Sequence, residues 1–146
     1  MQRFQICVNA NRWDVAPYRR IAHHMLPRWF GDFQIIDQTA HWAAEVTQSN
    51  FGMMMYAVIY DDLKAYHDLS EMNLDWEKMK QGYKDWMTHF PDDCVATSFA
   101  ASAFVAKDYE CCLDVLESLN FFFEGCWDSA TNVHLVNSIC REYTGR

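Results

Sequence analysis

An all-α chain is what this sequence predicts, on three grounds. Glycine and proline are scarce, at five and three in 146 residues, whereas all-β chains need many turns built from those residues. Apolar side chains recur three and four apart, most clearly in Trp76, Met79, Tyr83, Trp86, Met87 and Phe90, with Glu77, Lys80, Gln81, Lys84 and Thr88 between them. Such spacing puts the apolar set on one helix face. Aspartates stand immediately before several of these runs, where their carboxylates accept from the free amides of a first turn. With 51% hydrophobic and 16% aromatic residues, the chain has enough apolar material for a core and does not read as disordered.

The elements follow in order. Residues 1–12 give no clear element. Pro17 suits a first helical turn, and that helix runs from about Ala16 to Leu26, before Pro27. Asp32 caps the next. There Phe33, Ile36, Ala40, Ala43 and Thr47 share one face, and Ile35, Trp42 and Val46 form a second. A helix apolar on two sides is sandwiched between neighbours. Its polar stripe is Gln34, Asp37, Gln38, His41, Glu45 and Gln48.

After the break at Asn50-Phe51-Gly52, a helix from Met53 to about Leu69 carries Met55, Tyr56, Ile59, Leu63 and Tyr66 at helical spacing. Asp75 caps the helix that Pro91 ends. Asp93 opens a helix of small residues, Ala96, Ala100, Ala103 and Ala106, which permits close approach and a central place. Asp108 caps the run of Tyr109, Cys112, Leu113, Leu116 and Leu119, and residues 120–125 connect it to a last helix from Asp128 to about Tyr143. The total is about seven antiparallel helices in a single domain spanning 1–146, without a strand.

Charge narrows the function classes. Residues 1–31 carry five arginines against Asp14, or +4, and residues 32–146 carry seven basic and nineteen acidic side chains, or −12, giving the net −8. An acidic body repels phosphate, so nucleic-acid binding is disfavoured. No apolar run approaches the roughly 20 residues that span a membrane. The six cysteines contain no Cys-x-x-Cys pair, and among apolar residues they read as small hydrophobes of a reducing cytoplasm.

An internal repeat sharpens the architecture. Asp75-Trp76 recurs as Asp108-Tyr109, and Met79, Tyr83 and Trp86 recur as Cys112, Leu116 and Leu119. This pattern resembles the second helix of a tetratricopeptide unit, which has an aromatic five residues before a proline, as Trp86 stands before Pro91. The likeness is clearest over residues 75–119. Lys107 departs from it where glycine is usual, Cys112 stands for alanine, and Glu124 stands for proline. A second likeness joins His24-Met25-Leu26-Pro27-Arg28-Trp29-Phe30-Gly31-Asp32 to the later helices. It is similar to a bacterial family of unknown function with a Leu-Pro-Arg-Trp-Gly signature, though Phe30 interrupts that signature. These resemblances imply a short array of TPR-like helix pairs, a bacterial origin and no particular activity.

Few residues suggest chemistry. Asp37, His41 and Glu45 stack at four-residue spacing and could bind a divalent metal or exchange protons. The same spacing is expected of a solvated face. His23-His24 points two imidazoles apart. Cys94 near His89 and Asp93 hints at a thiol–imidazole pair, but one residue ends a helix and the other begins the next. Met53-Met54-Met55 reads as core filling. Arg28 and Trp29 suit a cation–π contact locking the turn. With Trp42 and Phe122 they are the candidate interaction residues.

No cofactor motif occurs. The expectation is a non-enzymatic interaction module that binds a protein or peptide, in its specific form an immunity or antagonist protein masking a basic partner. The alternatives are a small metal-dependent enzyme using Asp37, His41 and Glu45, and a subunit that self-associates through Phe121-Phe122-Phe123, which must bury somewhere.

Overall fold

The computed structural model describes Val8, residues 10–29, 31–123, Gly125, Trp127 and 132–146. Among these residues the chain is all-helical, with seven helices longer than a single turn and no strand. They are α1 (Val15–His24), α2 (Phe33–Phe51), α3 (Met54–Leu63), α4 (Trp76–His89), α5 (Asp93–Val105), α6 (Tyr109–Ser118) and α7 (Val133–Thr144). Short 3-10 turns occupy Pro27–Trp29 and Leu69–Glu71.

Aspartate caps set most of the helix starts. Asp32 accepts from the Ile35 amide at 2.7 Å, Asp75 from Lys78 at 3.3 Å and Asp108 from Cys111 at 3.2 Å. Two caps differ from expectation. Asp14 caps α1 by accepting from Ala16, and Asp92, one residue before the predicted Asp93, caps α5. The predicted Asp128 cap lies outside the described residues, and Asn132 caps α7.

The helix predicted to reach Leu69 stops at Leu63. The Tyr66 and His67 amides fold back onto the Leu63 carbonyl. Asp68, in extended backbone, then accepts from the Ser70 amide and hydroxyl. A side chain offering the backbone a local partner in this way competes with helix continuation. Tyr66 therefore leaves the helix face it was assigned to.

The chain divides into two compact units, residues 1–86 and 87–146. The boundary falls within α4, where no Gly- or Pro-rich linker betrays it. That is why the sequence reads as one domain.

In the first unit, α3 packs against α1 and α2. Met54 through Tyr60 and Leu63 are all buried, so α3 is wrapped on every side, and Met54 and Met55 fill core as predicted. Gly82 lets α4 approach α3 closely: a Cβ there would sit 2.5 Å from the Met53 carbonyl oxygen and 2.8 Å from the Ala57 Cβ. Asp85 then accepts from the Met53 amide at 2.7 Å.

In the second unit, α6 packs against α5 and α7. The alanine-rich α5 is buried from Ala96 to Ala100 and at Ser102 and Ala103, as small residues at a close helix contact should be. Lys107, between α5 and α6, adopts a left-handed φ of 61°. This is the position where the repeat pattern has glycine, the residue for which that conformation is not strained.

Candidate functional site

Asp37 is the centre of the most connected polar cluster. α2 carries it toward α3, where Tyr56 and Tyr60, one helical turn apart, are fully buried. Both hydroxyls donate to Asp37 Oδ1, at 2.8 and 2.9 Å. The Tyr56 oxygen in turn accepts from the Asp75 amide at 2.9 Å, tying the start of α4 to α2 through one phenol. Burial, with the adjacent Asp37 carboxylate, holds both hydroxyls well above the ordinary tyrosine pKa. They are therefore neutral donors, not proton shuttles.

His41 lies over Tyr56, with ring centroids 5.1 Å apart. Its Nε2 is 3.6 Å from Asp37 Oδ2 and 3.3 Å from the Lys78 ammonium. Lys78 also pairs with Asp75 at 3.3 Å. The structure thus unites Asp37 and His41 but not Glu45, which is exposed on the next turn. The ammonium of Lys78 sits beside the imidazole where a metal cation would have to be. Among the described residues no group of three or more His, Cys, Asp or Glu is arranged to hold a metal ion. The predicted solvated stripe also needs correction, because two buried phenols draw Asp37 inward. The available signal was Tyr56 and Tyr60 at four-residue spacing on an otherwise apolar helix, two hydroxyls that must find an acceptor.

Around α1 a second cluster forms. Asp62 faces His23 and lies 3.9 Å from Arg19 Nε. The His23 ring meets Tyr66 edge-on at 4.9 Å. His24 points to solvent, so the two imidazoles do diverge. Arg28 lies over the Trp29 ring at 5.9 Å, as the sequence suggests, and over Tyr66 at 5.1 Å, which it does not. Trp29 is 58% and Tyr66 51% exposed. Trp42, by contrast, is half-buried against Tyr18 at 5.7 Å and helps hold α2 to α1.

In the second unit, Phe122 is half-buried against Trp127 at 5.8 Å. Phe121 and Phe123 do not bury. They meet each other edge-on at 4.9 Å on the surface. Cys94 is exposed, while Cys111, Cys112 and Cys140 are buried. Burial, then the neighbouring Cys140, pushes the Cys112 thiol far above its usual pKa, which makes it inert.

An acidic stripe runs along α6. Glu110, Asp114 and Glu117, at i, i+4 and i+7, share one exposed face. Arg146 donates to Asp114 and, at 2.7 Å, to Glu117, and Arg141 reaches Glu117 at 2.7 Å. Tyr109 stacks on Tyr143 beside it, centroids 4.6 Å apart. No described helix is long and apolar enough to cross a membrane. Comparison with protein-family models, with curated proteins and with solved structures finds no match.

Proposed function

We propose that this chain is a non-enzymatic protein–protein interaction module that binds a basic partner, in its specific form an antagonist or immunity protein of a bacterial cytoplasm. The observation that carries the reading is the α6 stripe. Asp114 and Glu117 already accept guanidinium groups in charge-assisted hydrogen bonds, so their spacing suits arginine. The stacked Tyr109–Tyr143 pair, with Tyr143 69% exposed, offers an aromatic anchor of the kind that dominates interface energetics. The left-handed Lys107 turn supports the TPR-like reading of the helix pair α5–α6.

The test is affinity capture from source-cell lysate at about 50 mM and about 300 mM salt, a range over which surface attraction weakens. One basic protein held at low salt and released at high salt is the expected result. No partner at either salt would refute the reading.

A further inference from the structure

We propose that the Arg28–Trp29–Tyr66 corner of the first unit is a separate docking point of opposite preference, taking an acidic segment of a protein partner with one carboxylate seated against Arg28. The 3-10 turn Pro27–Trp29 and the turn after α3 bring the three side chains together. The Arg28 guanidinium carbon lies 5.9 Å from the Trp29 ring centroid and 5.1 Å from that of Tyr66. A cation–π contact leaves the guanidinium its planar fork of N–H donors, the arrangement that matches a carboxylate. The two ring contacts also restrict the side chain, so less rotamer freedom is lost on binding.

The neighbouring charges leave that fork to an incoming group. Asp62, the carboxylate of this cluster, pairs with His23 and lies 3.9 Å from Arg19 Nε. Among the described residues no carboxylate pairs with Arg28. Arg20 and His24 are exposed on the adjoining helix, and the first 31 residues carry five arginines against one aspartate. The exposed faces of Trp29 and Tyr66 add apolar area that a partner's aromatic or aliphatic side chain can cover. A nucleic acid could also pair here, but a polyphosphate extends well beyond one arginine and would meet the field of a chain with net charge −8. A short acidic segment does not have to.

The test uses the full chain and a fluorescein-labelled synthetic peptide of alternating Glu and Phe, read by anisotropy. A Lys/Phe peptide of equal length and an oligothymidylate serve as comparison probes. The acidic peptide should bind, and Arg28→Ala should weaken it about tenfold, as loss of a charge-assisted bidentate contact does. Arg28→Lys should recover only part of that loss, because the charge returns without the fork. Circular dichroism checks each variant's fold. If Arg28→Ala is misfolded, Arg28→Lys and Tyr66→Ser carry the test, and unchanged binding by both would overturn the proposal. Binding of oligothymidylate but not the acidic peptide would make the occupant a nucleic acid and overturn it. So would an Arg28-dependent dimer in light scattering without peptide binding, which would make the occupant a second copy of this chain.

Discussion

The two units are held by different chemistry. Residues 1–86 carry nine basic and eleven acidic side chains, or −2, whereas residues 87–146 carry three and nine, or −6. The first unit has four fully buried tyrosines, Tyr18, Tyr56, Tyr60 and Tyr83. Their hydroxyls end on the Arg12 carbonyl, Asp37 and Asp61. The core of the second unit has no fully buried tyrosine among the described residues and sets small side chains, Ala96, Ala100, Ser102, Ala103, Cys111, Cys112 and Cys140, around Phe99, Leu113 and Val136. A large side chain with a polar tip specifies its neighbours by demanding an acceptor at one point. Small side chains specify by excluding anything larger. The first unit therefore uses two half-buried carboxylates, Asp37 and Asp61, as hydrogen-bond acceptors for its own core tyrosines. In the second, Asp114 and Glu117 stay on the surface, where they pair with Arg146 and Arg141.

The largest effect should come from removing the acceptor at the centre of the first unit. Asp37→Ala leaves the Tyr56 hydroxyl without its acceptor and Tyr60 with only the Asn73 carbonyl at 3.4 Å, and should cost about 3 kcal/mol, the scale for losing a buried charged acceptor. Urea unfolding reads the loss, and hydrogen exchange should show faster opening first in α2 and α3. If Asp37→Ala unfolds at the wild-type urea concentration, the polar core is not what holds the unit. The counterpart in the second unit is Ala103→Leu. It forces a large side chain into a fully buried alanine site and should cost about 2 kcal/mol by overpacking, with faster exchange in α5 and α6.

The tyrosines also give the comparison a pH signature. Tyr18, Tyr56 and Tyr60 have pKa values raised above 10.0 by burial. Their stabilisation is complete below about pH 10, because folded and unfolded states then hold the same protons. Above that pH the unfolded chain loses protons that the native state keeps. Stability should then fall by about 1.4 kcal/mol per pH unit for each such tyrosine. Tyr56→Phe should make the decline shallower, and an equal slope in that variant would place the effect elsewhere. A smaller change should come from Lys107→Gly. It relieves the left-handed strain but adds unfolded-state freedom, for a net gain of about 0.5 kcal/mol. Thermal melting checks it, and a loss of stability would mean that the Lys107 side chain has a role of its own.

What was legible in the sequence was local. Helix periodicity, the Asp32, Asp75 and Asp108 caps, the buried Met54 and Met55 and the Arg28–Trp29 contact all depend on residues a few positions apart. What was not legible depends on distant pairing. Asp37 reads as solvent-facing because nothing near it in sequence reveals that Tyr56 and Tyr60 lie opposite. Tyr66 sits on a helical period but leaves it, because Asp68 offers the backbone a competing partner. Phe121 and Phe123 look like core residues and instead face solvent, where they pack edge-on against each other. The acidic stripe was visible only as net charge until Arg141 and Arg146 marked which carboxylates work together.

The most direct measurement compares capture of a partner by three proteins at low salt: wild type, the α6 charge reversal Glu110→Lys/Asp114→Lys/Glu117→Lys, and Asp37→Asn, which keeps an acceptor for the tyrosines. The second unit's surface is predicted to carry recognition and Asp37 only structure. The charge reversal should lose the partner while Asp37→Asn retains it. Loss of the partner in Asp37→Asn, with full retention by the charge reversal, would contradict the account and place function in the cluster around Asp37.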